Sequence, residues 1–309
     1  MAITSNYAGF EAVDIMLQAQ KEEDTLRLGL ISVVPNVGYK LNLRNLDVTL
    51  GVADYSCGTT PATDAVSYSE KVLTLDKFKN EFEICKEDFR PTWSGESMGA
   101  SAFNDQTPAD ISKAIVESTS SKLAQWFEDQ IWNGAGTAGK MNGLITQFAA
   151  DSDVIKVGNG ITSIGADVDT SNVLAVFDAA TKAMPYALRR KEVNFIVSPD
   201  VADAYTKLLI QNGAANGLGG DANTGLVYGR YNVQVVNGLP DNTCVIFEKK
   251  NITLGLGLAN DSDSIRIKDM DEVDFSGNVL YKSVFGGAVG YSYGNEIVWL
   301  LSKQHNNNF

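Results

Sequence analysis

From Leu41 onward apolar and polar residues alternate: Leu41 and Leu43, then Leu46, Val48 and Leu50, stand between polar neighbours. A period of two predicts a half-buried strand or a ribbon. The turn-rich stretch SCGTTPATDA follows, and a second strand-like run passes through Val72, Leu73 and Leu75. Two extended runs joined by a tip of small residues predict a long hairpin over 36–75. KFKNEFEICKEDF continues the extended pattern, with Phe78, Phe82 and Ile84 on one face. Alternation then turns Glu81 and Glu83 to solvent, and Glu87 and Asp88 likewise read as surface charge.

At Thr107 the period changes. Thr107, Pro108 and Asp110 supply an N-cap, a first-turn proline and an acid where the helix dipole favours one. Ile111, Ile115, Thr119, Leu123, Phe127 and Ile131 then recur every four residues. The spacing predicts a helix over 108–133, about 37 Å long, that stops at Asn133-Gly134. Further on, Asp169-Thr170-Ser171 predicts the start of a helix carrying Val173, Phe177, Ala180 and Met184. VNFIV reads as a buried strand, and Ser198-Pro199-Asp200 opens another helix. After the loop GAANGLGGDANTG come the short strands YNVQVV, TCVIF and NITLGLGL, and a last extended segment runs from Val279 to Leu301. Helices alternating with strands predict an α+β unit with a central sheet. Residues 1–30 hold only the weak helical stretch EAVDIMLQAQ and a charged cluster, and read as an arm with little core of its own. No repeat of 20–50 residues is evident, and the tail HNNNF reads as disordered.

Charge narrows the classes of function. The 309 residues carry a formal net charge of −13, so tight binding of nucleic acid through a basic face is not expected. No apolar run reaches membrane-spanning or signal length, and neither export by that route nor a membrane span is expected. Cys57, Cys85 and Cys244 are odd in number and widely spaced, which points to a reducing compartment and not to a disulfide framework. The single histidine, His305, leaves no Ser-His-Asp or Cys-His constellation and no histidine metal site.

Two motifs come close to a chemistry and miss it. NGAGTAGKM (133–141) matches a phosphate loop except at its last place, where Met141 replaces the hydroxyl residue that would ligate Mg²⁺. It also follows a helix, whose C-terminal carbonyls repel anions, whereas a phosphate loop precedes one. In NDSDSIRIKDMDEVD, Asp261, Asp263 and Glu272 fit calcium-loop positions, but Ile265 and Arg266 stand where a ligand and a glycine are required. No catalytic residue, cofactor site or metal site is therefore assigned.

The order of arm, long hairpin, KVLTLDKFKNEFEICKEDF, capped helix ending in WFEDQIWNG, GLITQF, KEVNFIVSPDVADAYTKL and GRYNVQVVNGLPDNTCVIF resembles the tailed-bacteriophage major capsid family, the Hong Kong 97-like fold. That resemblance implies an N-terminal arm (1–35), an extended hairpin loop lying over a neighbouring subunit (36–75), and a peripheral domain (76–169 and 275–309) whose spine is the helix 108–133. The remainder would be an axial domain (170–274) with its glycine loop near the capsomer axis. Function would then reside in subunit contacts. The residues expected there are Leu43, Leu46, Val48 and Leu50 on the hairpin, Tyr55 to Pro61 at its tip, and Gly217, Gly219 and Gly220 in the axial loop.

The expected partners are copies of the chain, as pentamers and hexamers closing an icosahedral shell, with a portal, a scaffold and decoration proteins. Packaged DNA would be enclosed without tight specific binding, in a virion assembled in the host cytoplasm. About 30 residues precede the hairpin, so a fused scaffolding segment is not expected. No lysine lies between Leu41 and Glu70, so a non-covalent shell is expected from this loop. The rival readings are an encapsulin-type compartment shell and a soluble cytosolic nucleotide-binding enzyme.

Overall fold

Two sheets and a free ribbon organise the computed structural model, which describes residues 24–50, 65–89, 109–158, 167–212, 226–257 and 265–300. In chain order the elements are α1 (Asp24–Arg27), β1 (Ser32–Val34), β2 (Lys40–Thr49), β3 (Ala65–Thr74), β4 (Asp76–Cys85) and α2 (Ala109–Asn133). Next come α3 (Leu144–Ala150), β5 (Ile155–Val157), α4 (Val173–Ala183), β6 (Val193–Val197), α5 (Pro199–Gln211), β7 (Val227–Tyr228) and β8 (Tyr231–Val235). The chain closes with β9 (Cys244–Glu248), β10 (Ile252–Leu256), β11 (Arg266–Asp269), α6 (Asp271–Asp274), β12 (Asn278–Tyr291) and β13 (Val298–Leu300). The α+β class expected from the pattern is the one observed.

The first sheet is built on β12, which pairs antiparallel with β4 along Asn278–Gly287 and, on its other edge, with β11 and then β10; β1 adds to β10 in parallel. The second sheet runs β5-β13-β9-β6-β8-β7. Its central strands read as continuous apolar runs because both of their faces are covered. Ile196, Val245, Phe247 and Trp299 face one core together with α2, α3 and β12. Their neighbours Phe195, Val197, Cys244, Ile246, Val298 and Leu300 face a second core under α4 and α5. One sheet thus joins the two halves.

Sheet membership crosses the boundaries that the sequence suggested. β10 and β11, inside 170–274, pair with β12 in the first sheet, while β5 and β13, outside it, extend the second. The residues before the hairpin also depart from an arm without core. Leu30 and Ile31 are each 2 % exposed within the first core, and Asp24 and Thr25 are buried beside α2.

The helix α2 runs to Asn133 as expected, and the glycine-rich run after it is a turn. Gly136 N donates to the Met141 carbonyl at 2.8 Å, and Gly136 and Gly139 adopt positive φ. An added Cβ at Gly134 would lie 2.2 Å from the Met141 carbonyl oxygen, so close backbone approach requires glycine there. Met141 itself is fully buried, which explains the thioether at a position where a phosphate loop needs a hydroxyl. The expected caps are used differently. Asp169 Oδ1 accepts from Ser171 N at 2.8 Å in the turn before α4, whereas Ser198 Oγ accepts from Thr243 N at 3.2 Å and does not cap α5.

Candidate functional site

The ribbon is formed by β2 and β3, paired antiparallel without interruption from Lys40↔Thr74 to Thr49↔Ala65. An unbroken register puts odd and even positions of β2 on opposite faces. Apolar residues occupy odd positions at the base, Leu41 and Leu43, and even positions beyond it, Leu46 and Val48. The step of three from Leu43 to Leu46 therefore moves the apolar stripe from one face of the ribbon to the other.

Near its base the ribbon leans on its own body. Leu43 is 9 % exposed, and Leu41, Leu73 and Leu75 lie over glycines of the first sheet. A Cβ at Gly290 would sit 3.2 Å from Leu73 Cδ1, and one at Gly255 would sit 3.3 Å from Leu75 Cδ1. The expectation that 36–75 lacks backing within the molecule thus fails for this half. Leu43, offered as a subunit contact, is spent inside the protomer.

Polar contacts fix the direction in which the ribbon leaves. Val37 N donates to the Leu256 carbonyl at 2.9 Å, and Asn45 Nδ2 to the Ser292 carbonyl at 2.8 Å. The Tyr293 hydroxyl accepts from Leu46 N at 3.1 Å and donates to its carbonyl at 3.2 Å, occupying the free edge of β2. Lys71 lies with Nζ 3.6 Å from the centre of the Tyr291 ring, whose hydroxyl donates to Asp151 at 2.6 Å. Burial lowers the Lys71 pKa against the pull of Asp151, and it raises that of Tyr291, with Asp151 adding to the rise. Burial works to raise the Asp151 carboxyl too, but hydrogen bonds from Tyr291 and Asp153 N, with Lys71 and Lys156 nearby, hold it below the usual range. Replacing Lys71 by alanine removes this contact at the base of β3. The expected result is at least a tenfold faster amide exchange over 40–49, read by hydrogen–deuterium exchange, for a loss of roughly 1–2 kcal/mol.

Beyond Asn45 the stripe faces solvent. Leu46, Val48 and Leu50 are 58 %, 50 % and 72 % exposed, and across from them Val66 and Tyr68 are 68 % and 57 % exposed. The step of three was the sequence signal for this change of face. Tyr55 and Pro61 at the tip, and Gly217, Gly219 and Gly220 in the axial loop, lie outside the described residues, as do His305 and Cys57.

A groove of about 670 Å³ opens elsewhere, between β4 and α2. Phe78, Phe82, Leu123 and Trp126 line it together with Lys77, Lys79 and Lys122. Its charged residues are lysines, whereas the solvent-facing stripe carries on its own face the opposed pair Arg44 and Glu70.

One buried acid stands apart from the ribbon. Glu128 of α2, 1 % exposed, accepts from Thr25 N at 3.2 Å and from Thr25 Oγ1 at 2.5 Å, and Trp132 Nε1 donates to the same hydroxyl at 2.8 Å. Asp24 accepts from Asn237 Nδ2 at 2.6 Å and pairs with Arg27. Burial pushes Glu128 up to about 7; the Thr25 bonds oppose this and Asp24 reinforces it. Gly238 closes over the cluster, where an added Cβ would meet Glu128 Cγ and Trp132 Cδ1 at 2.8 Å each. The first described residues are thereby tied to α2 and to the turn after β8.

No protein-family model and no curated protein matches the chain in sequence. Solved structures do match it in fold over nearly its whole length. The capsid of Myoviridae Phage XM1 superposes with a TM-score of 0.63 at 12% identity, covering 95% of this chain and 96% of that one. The capsid of a native GTA particle gives 0.60 at 14% identity, with 95% and 94% covered. That of Cyanophage P-SCSP1u gives 0.57 at 16% identity, with 96% and 93% covered. The fold is that of phage capsid shells.

Proposed function

We propose that this chain is a major capsid protein, many copies of which close an icosahedral shell around the double-stranded DNA of a tailed bacteriophage. The observation that carries the reading is the apolar stripe from Leu46 to Leu50, held away from its own core on a fold shared with capsids. A two-stranded ribbon is marginal in water, and five large side chains left wet on one face call for a covering surface. A second copy supplies it.

The role is structural, exercised through contacts between copies in pentamers and hexamers, with a portal, a scaffold and decoration proteins as further partners. Its place is the virion, after assembly in the host cytoplasm. The acidic balance fits a container that does not grip its duplex. The loop offers no lysine between Leu41 and Glu70 for welding subunits, and Lys71 is turned onto Tyr291.

Negative-stain microscopy of the purified full chain tests the proposal. Closed particles with fivefold and sixfold capsomers are expected, and boiling in SDS should return them to a single band near 33.3 kDa. A monodisperse monomer at high concentration and in crowding agents would overturn it.

A further inference from the structure

The basic residues of this acidic chain are unevenly placed. Arg189-Arg190-Lys191 is its only run of three cations, and three of its seven arginines, Arg189, Arg190 and Arg230, line one polar groove of about 670 Å³. The topology brings them together. β6 and β8 are parallel neighbours, so the turn that enters β6 and the turn that enters β8, where Gly229 adopts a φ of 62°, lie at the same end of the sheet.

Two of the three guanidinium groups are already oriented, and none by a carboxylate. Arg189 donates to the carbonyls of Met184 at 3.2 Å and Lys182 at 2.8 Å and lies 4.9 Å from the centre of the Tyr186 ring. Arg230 donates to the Arg189 carbonyl and to the Tyr231 hydroxyl. Carbonyl and hydroxyl partners orient a guanidinium without cancelling its charge. The Arg190 guanidinium has no hydrogen-bond or ion-pair partner among the described residues, its backbone N alone donating to the Ala187 carbonyl at 3.3 Å. Lys191 is neutralised by Glu248 at 2.6 Å and Glu296 at 3.1 Å, and the remaining acid along the groove is Glu192. Beside Arg189, Tyr186 is 84 % exposed, and exposed tyrosine beside arginine is the composition of an interface centre.

We propose that this arginine groove is a contact surface between copies, receiving a carboxylate-bearing segment of a second copy of the chain. The inference rests on the shell reading and names a contact separate from the ribbon. Charge selects the occupant. With a net charge of −13 the rest of the chain is carboxylate-rich, so a second copy offers what the groove lacks, and the planar fork of arginine fits a carboxylate with two hydrogen bonds. The contact is heterologous, a groove on one copy against a different patch on the next, which is the geometry that closes rings.

The test compares assembly of the full-length wild type with Arg190→Gln and Arg190→Glu over a series of salt concentrations, by light scattering and sedimentation. The Arg190 side chain is exposed and makes no hydrogen bond or ion pair among the described residues, and the substitutions leave its backbone bond to Ala187 in place, so both variants are expected to melt with the wild type. The concentration for half-assembly is expected to rise about tenfold for Arg190→Gln and further for Arg190→Glu, with a weaker salt dependence in both. Shells forming at the wild-type concentration in both variants overturn the inference and leave the shell reading intact. So does binding of a short DNA duplex that Arg190→Glu abolishes while assembly is unchanged, which would assign the groove to phosphate. A wild type that never assembles removes both readings.

Discussion

A chain carrying Val48→Asp together with Tyr68→Asp is expected to fold as the wild type does and to fail to form shells. Both side chains belong to the solvent-facing stripe and are at least half exposed in the protomer. Exposed substitutions away from caps and glycine turns usually change stability by less than about 0.5 kcal/mol; lost Val48–Val66 and Leu46–Tyr68 cross-strand pairs add at most about 1 kcal/mol each. The proposed shell contact covers the same side chains. Burying a large apolar side chain contributes about 1.5–3 kcal/mol, so losing two costs about 3–6 kcal/mol per contact, before the penalty of burying two carboxylates. That is a rise of about a hundredfold to ten-thousandfold in the concentration needed for assembly. Sedimentation and microscopy read the assembly, and thermal melting reads the fold. Normal shells from a correctly folded double variant would show that the stripe is not an interface.

The ribbon also shows how far the sequence can be read. Alternation from Leu41 to Leu50 was enough to place a strand, and the small-residue tip enough to place its return, because a period of two is a local property. Which face each leucine served was not local: it depended on the even register with β3, which alone turns the step from Leu43 to Leu46 into a change of side. The doubly covered strands VNFIV and TCVIF were legible for the same reason, since burial on both faces leaves an uninterrupted apolar run. Three-residue strands such as β1, β5 and β13 set no period, and each finds its partner far along the chain: Val33 opposite Leu254, Val298 opposite Ile155. The burial of Leu30 and Ile31 follows from that pairing and has no separate signal. The Lys71, Tyr291 and Asp151 contact joins three elements, and the arginine groove is assembled by a parallel pairing that brings Arg189 and Arg230 together across 41 positions. In each of these the residue types were visible and the neighbour was not.

Glu128→Gln is expected to remove a pH dependence of folding that the wild type carries. The carboxyl has an ordinary value of 4.5 and is raised to about 7 in the fold, chiefly by burial. Below pH 4.5 it is protonated in both folded and unfolded chains and contributes no difference. Between pH 4.5 and about 7 the folded chain holds the proton and the unfolded chain does not, so this group's contribution to stability falls as pH rises. Above pH 7 the group is ionised in both states, buried in one and solvated in the other, and the cost is constant. The span of about 2.5 units, at about 1.36 kcal/mol per unit, makes that cost about 3 kcal/mol. Glutamine keeps the shape and an acceptor for Thr25 N, and its amide can donate to Thr25 Oγ1, so the cluster stays satisfied without a charge. The variant should therefore gain on the wild type by about 3 kcal/mol between pH 5 and pH 8, or about 5–10 °C in melting temperature for a chain of this size. Because Thr25 is held by this acid, the same titration should loosen the segment ahead of β1 in the wild type alone, seen as faster amide exchange at 25–31 above pH 7. A gap between the two proteins that stays constant from pH 5 to pH 8 would mean that Glu128 is ionised in the fold throughout, and that Thr25 is held by a permanent carboxylate.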